Sequence, residues 1–125
     1  MTRGDSDDQG LHQLLDLHLY KIGFDNGFWA TFRVFRVEPD EGRPHGLQYS
    51  LTLHNDRDER VLGYDNSHAV DQATGPARRS RRQKTFDHID RKGKRSAPYL
   101  FTTPSQLLMD FWRDVEKILE EEGLS

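Results

Sequence analysis

Two short polar clusters hold the residue types that can carry chemistry. The first is Gly63-Tyr64-Asp65-Asn66-Ser67-His68, at the end of an apolar run. The second is Phe86-Asp87-His88-Ile89-Asp90-Arg91, where one histidine stands between two carboxylates. An imidazole exchanges its proton near neutral pH, and a neighbouring carboxylate can hold it in one tautomer. If the first cluster is extended, Tyr64, Asn66 and His68 point to one side and Asp65 to the other. Asp-Asn-Ser is also ordinary turn chemistry, with side chains bonding their own backbone, so a structural reading stands beside the catalytic one. Metal-free RNA cleavage needs a proton acceptor for the 2′-hydroxyl, a proton donor for the leaving oxygen, and cations on the phosphate. His88, with Tyr64 or Asp65, and the arginines that follow Ala77 are the right types. Tyr64, Asp65, Asn66, Asp87 and His88 are therefore expected to line one polar site.

Other chemistries find less support. The chain has no cysteine, which removes disulfide scaffolds, thiolate zinc sites and cysteine nucleophiles. Its six histidines form neither HxH nor HExxH spacing. A metal site would need residues from distant strands, such as His68, Asp71 and His88, and none is expected. There is no G-x-S-x-G elbow and no phosphate-cradling glycine motif, so no cofactor is expected. Aromatics for base stacking do not stand out, because Trp29, Phe35 and Trp112 fit patterns of a core.

Charge is unevenly spread. Between Arg78 and Arg95 nine basic residues face two acids, a local charge of +7; nine basic and nineteen acidic residues elsewhere bring the net to -3. Arg78, Arg79, Arg81, Arg82, Lys84, Arg91 and Arg95 are thus candidates for holding a phosphate-bearing polymer. The same stripe could instead dock an acidic protein, which would make the chain a non-catalytic binding module.

The elements that must position these residues follow from pattern. Leu, Ile, Val and Phe supply 29 of 125 residues, enough for a modest core. No apolar run is long enough to cross a bilayer and the N-terminus is acidic, so a cytoplasmic protein is expected. Residues 1–10 read as a polar tail, and 11–125 as a single domain with a basic loop at about 71–84. Leu11 to Leu19 fits either a helical face or an alternating strand; context favours a strand from about Leu15 to Ile22. Asn26-Gly27 then makes a hairpin with Phe28 to Val37. Leu47, Tyr49, Leu51 and Leu53 alternate with polar residues as a half-buried strand, and a shorter strand follows from Arg60. Extended pieces are expected at Thr85–Ile89 and Tyr99–Phe101. Thr103-Pro104-Ser105-Gln106 opens a helix with a hydroxyl cap, and Leu107, Leu108, Phe111, Trp112, Val115, Ile118 and Leu119 give it one apolar stripe. The expected fold is α+β, an antiparallel sheet of about five strands with this C-terminal amphipathic helix on one face.

Over roughly 90 residues the chain resembles the TumE-type toxin family. The resemblance runs through the Leu15–Pro39 hairpin, His45-Gly46-Leu47-Gln48-Tyr49-Ser50-Leu51, Arg60-Val61-Leu62-Gly63-Tyr64-Asp65-Asn66, Asp87-His88, and Pro98-Tyr99-Leu100-Phe101 into the helix from Gln106 to Val115. The resemblance implies a toxin component encoded beside a helix-turn-helix antitoxin, and no particular reaction; from the residue types of the two clusters, a metal-independent ribonuclease is the leading expectation if the chain is an enzyme. Family members carry Asp-His-x-His at the second cluster, whereas this chain has Asp90 at the second histidine position, after a longer, arginine-rich linker.

Overall fold

The computed structural model describes residues 7–66 and 87–122. In chain order these form α1 (Asp8–Asp16), β1 (Lys21–Gly23), β2 (Trp29–Arg36), β3 (Leu47–His54), β4 (Arg60–Asp65), β5 (His88–Arg91), β6 (Ala97–Pro98) and α2 (Pro104–Glu121). The strands make one six-stranded antiparallel meander, β1-β2-β3-β4-β5-β6. The expected α+β class holds, with one strand more than anticipated and a second helix.

That second helix corrects the N-terminal reading. Leu11 to Asp16 belongs to α1, and only Lys21–Gly23 is strand. Asp7 caps α1 by accepting from the Gly10 N–H, and Leu14 is fully buried. The same carboxylate reaches α2, accepting from the Ser105 N–H at 2.7 Å and the Ser105 hydroxyl at 3.0 Å. One side chain therefore supplies acceptors at two helix N-termini, which a strand over Leu15–Ile22 could not have used. Of the polar tail expected over residues 1–10, Asp7 is the cap of α1 and Asp8 to Gly10 are its first turn; residues 1–6 lie outside the described residues.

Helix α2 begins where the sequence places it. Thr103 Oγ1 accepts from the Gln106 N–H at 3.1 Å, with Pro104 in the first turn. Gln106 does not complete the reciprocal capping pair; its amide donates to Asp110 instead. Leu107, Phe111, Val115 and Ile118 are buried against Ala30, Phe32 and Val34 of β2, Leu51 and Leu53 of β3, and Leu62 and Tyr64 of β4. Each such side chain contributes about 1.5–3 kcal/mol on burial, so this stripe fixes the helix on one face of the sheet. No described helix packs on the second face.

Two local irregularities shape that second face. In the β1–β2 turn, Gly27 takes φ 91°, the left-handed region that glycine enters without steric cost. Between β3 and β4 the register shifts at Leu53/His54, so that Arg60 rather than Val61 stands opposite His54. The shift resets the alternation and brings Arg60 to the second face.

Candidate functional site

Register aligns polar residues across the second face. Arg33 of β2 pairs with Ser50 of β3, Ser50 with Asp65 of β4, and Asp65 with His88 of β5. The next row runs Thr31, Thr52, Gly63, Asp90. Opposed residues have Cβ atoms about 4.5–5.5 Å apart, so Asp65 and His88 face each other at close quarters. Ser50 Oγ donates to Asp65 Oδ2 at 3.2 Å, and His88 Nε2 lies 3.3 Å from Asp90 Oδ2. The Arg60 guanidinium reaches between the acids, 3.7 Å from Asp65 and 3.6 Å from Asp90. It can lie there because residue 63 is glycine; a Cβ at that position would collide with it. Asp65 is only 3% exposed.

The first face holds a different cluster. Asp87 is 2% exposed and accepts from the Tyr49 hydroxyl at 2.5 Å and from His45 Nε2 at 2.9 Å. His45 Nδ1 accepts from the Leu47 N–H, which leaves the proton on Nε2, and the ring packs 4.1 Å from Phe101. Burial, then the charge of Asp87, pushes the Tyr49 hydroxyl well above its ordinary pKa, so it stays a donor. Among the described residues, Asp87 Oδ1 has no hydrogen-bond partner.

The five residues expected to share one site therefore divide. Asp65 and His88 come together. Tyr64 points the other way, its hydroxyl bonded to Asp114 at 2.6 Å, and burial followed by that bond raises its pKa. Asn66 is fully buried and extends the ladder: Oδ1 accepts from the Tyr49 N–H, and Nδ2 donates to the Leu47 carbonyl. Asp87, adjacent to His88, turns inward because side chains alternate along a strand. Of the basic residues, Arg91 binds Glu121 of α2 at 2.7 Å, and Arg95 is exposed in the β5–β6 connection. Arg78, Arg79, Arg81, Arg82 and Lys84 lie outside the described residues, as does the loop at 71–84.

Sequence reasoning did not single out Ser50, Arg60 or Arg33, nor the His45–Tyr49 pair that holds Asp87. Strand parity contained a signal for Ser50 and Arg33; Arg60 reaches the site through a bulge that no local pattern announces. Among the described residues, no group of three or more His, Asp or Glu is arranged to hold a metal ion, and Arg60 fills the space between Asp65 and Asp90. His68 and Asp71 lie outside the described residues. None of the described helices is long and apolar enough to cross a membrane.

Fold and site together define a small α+β protein: a meander closed by helices on one face, with a carboxylate–imidazole–guanidinium cluster on the other. The family model described as Toxin TumE matches residues 18–119, and the chain belongs to that toxin family. No curated protein and no solved structure gives a significant match.

Proposed function

We propose that this toxin-family chain acts on RNA, or another phosphate-bearing target, through Asp65 and His88, and that a cognate helix-turn-helix antitoxin restrains it in the cytoplasm. The observation that carries the reading is the register that sets Asp65 opposite His88 beside the Arg60 guanidinium. In a transesterification at this site, Asp65 accepts the 2′-hydroxyl proton as that oxygen bonds to phosphorus. Protonated His88 gives its proton to the departing 5′-oxygen as the P–O bond breaks, leaving a 2′,3′-cyclic phosphate and a 5′-hydroxyl. Arg60 stabilises charge on the phosphoryl oxygens, and cations of the 78–95 stretch hold the flanking chain. Asp90, which stands at the position of the family's second histidine, orients His88.

Growth after induced expression tests this, with the intact chain compared with Asp65→Ala, His88→Ala and Arg60→Ala at matched protein levels. The reading expects arrest by the intact chain alone, and loss of RNA integrity only where growth stops. Equal harmlessness of all four chains would replace it with the binding-module reading, in which the basic stretch docks an acidic partner.

A further inference from the structure

Arg33 and Phe35 extend the polar row toward the β1 edge of the sheet, and neither takes part in the chemistry above. Arg33 lies in the same cross-strand row as Ser50, Asp65 and His88, two strands from Asp65. At 4.7–4.9 Å per strand, its Cα is about 10 Å from that of Asp65. It is exposed and makes no ion pair among the described residues, whereas Arg60, Arg91 and Lys92 each have a carboxylate partner. Phe35 is two residues further along β2 on the same face and is 43% exposed. Its ring meets the His18 ring edge-on at 5.9 Å, and His18 is held in turn by accepting from the Val34 N–H.

Apart from its edge-on contact with His18, the Phe35 ring on the face opposite the core is left to solvent, and it adjoins an unmatched cation. Trp29, on the same face, cannot stack on a base: His54 covers one side of its ring at 4.0 Å, and Lys21 Nζ lies 4.2 Å from the ring centroid. Single-stranded nucleic acid is held by this combination of a cation for the backbone and an exposed ring for a base. We propose that Arg33 and Phe35 form a subsite for single-stranded RNA, Arg33 binding a phosphate neighbouring the reactive one and Phe35 stacking on its base. The subsite rests on the Asp65–His88 reading and gives the substrate a direction, across the strands from β5 toward β2.

Fluorescence anisotropy with a labelled single-stranded RNA of mixed sequence, read across a salt series, tests the subsite directly. Phe35→Ala is expected to weaken binding roughly tenfold while Phe35→Tyr retains it. Arg33→Ala is expected to weaken binding and to lower the log–log salt slope by about 0.7, with Arg33→Lys largely restoring it. Both side chains are exposed, so unchanged thermal unfolding confirms that the variants are folded. Affinity and slope equal to those of the intact chain would overturn the subsite, as would absence of RNA binding by the intact chain. Preference of the patch for polyglutamate over RNA would also overturn it, in favour of an acidic protein partner. The outcomes separate from those of the parent reading. A His88→Ala chain that stays toxic, while Phe35→Ala and Arg33→Ala still lose RNA, removes the catalytic role and leaves the subsite standing.

Discussion

Replacing Asp87 tests whether this carboxylate is structural. It is buried, and its Oδ2 accepts from the Tyr49 hydroxyl at 2.5 Å and from His45 at 2.9 Å. A hydrogen bond to a charged group contributes about 1.5–3 kcal/mol. Asp87→Ala breaks both and strands two buried donors, so the expected loss is about 3–5 kcal/mol, as for one partner removed from a buried polar pair. Tyr49→Phe removes one bond and leaves His45 in place, for an expected loss of about 2 kcal/mol. Once Asp87 is gone, Tyr49→Phe deletes a hydroxyl that has already lost its acceptor, so it should cost under about 1 kcal/mol or stabilise slightly. Urea unfolding of the four chains gives the coupling directly. In a domain of this size the Asp87→Ala chain should melt roughly 10–20 °C lower. Additive costs would show that the Tyr49 hydroxyl does not act through Asp87, and a loss below about 1 kcal/mol for Asp87→Ala would show that its bonds do not bear on stability.

Three further outcomes are expected. Asn66→Ala removes two buried bonds that continue the β3–β4 ladder and should cost about 2–4 kcal/mol in urea unfolding, with Asn66→Asp no better because a carboxylate would face the Leu47 carbonyl. Gly63→Ala should displace the Arg60 guanidinium from Asp65 and Asp90 and reproduce the growth phenotype of Arg60→Ala, while the melting temperature moves by only a few degrees, about what 1 kcal/mol would produce; an active Gly63→Ala chain would deny Arg60 its role. The Ser105 N–H holds the Asp7 carboxyl below its ordinary value, so its contribution is complete above pH about 3.8 and is lost as pH falls through the lower folded value; Asp7→Ala should cost about 1 kcal/mol at neutral pH and reduce the steepness of acid unfolding.

What the sequence disclosed, and what it withheld, follows the range of the interactions involved. Helix α2 was legible because its cap, its proline and its apolar stripe are all local. β3 was legible because Leu47, Tyr49, Leu51 and Leu53 alternate without a break. Helix α1 was misread because Leu11, Leu14 and Leu15 suit a helix while Leu15, Leu17 and Leu19 suit a strand. The contact that favours the helix, Asp7 to Ser105, spans 98 residues. Phe35 was assigned to the core on the apolar pattern of its segment, although Ala30, Phe32 and Val34 already occupy the inward parity of β2. The pairing of Asp65 with His88 depends on register between strands 23 positions apart, and nothing in either segment specifies it alone. Tyr49 and His45 reach Asp87 from 38 and 42 residues away, beyond any spacing rule.

The division of the two polar clusters has a consequence for reading mutants. Each second-face residue of the proposed pair is flanked in sequence by a side chain anchored on the first face. Tyr64 beside Asp65 is bonded to Asp114 of α2, and Asp87 beside His88 is bonded to Tyr49 and His45. A strand turns over at every residue, so the inward anchors fix the backbone from which Asp65 and His88 project. Inactivity of a Tyr64 or Asp87 variant is therefore as well explained by a shifted strand as by a missing proton carrier, and stability distinguishes the two. His88→Gln alters a half-buried polar group with no apolar packing to lose, whereas Asp65→Asn loosens the buried pair with Arg60, and Asp87→Asn and Tyr64→Phe disturb bonds to the core. Activity lost with unfolding free energy unchanged belongs to the second face; activity lost in proportion to stability belongs to the first.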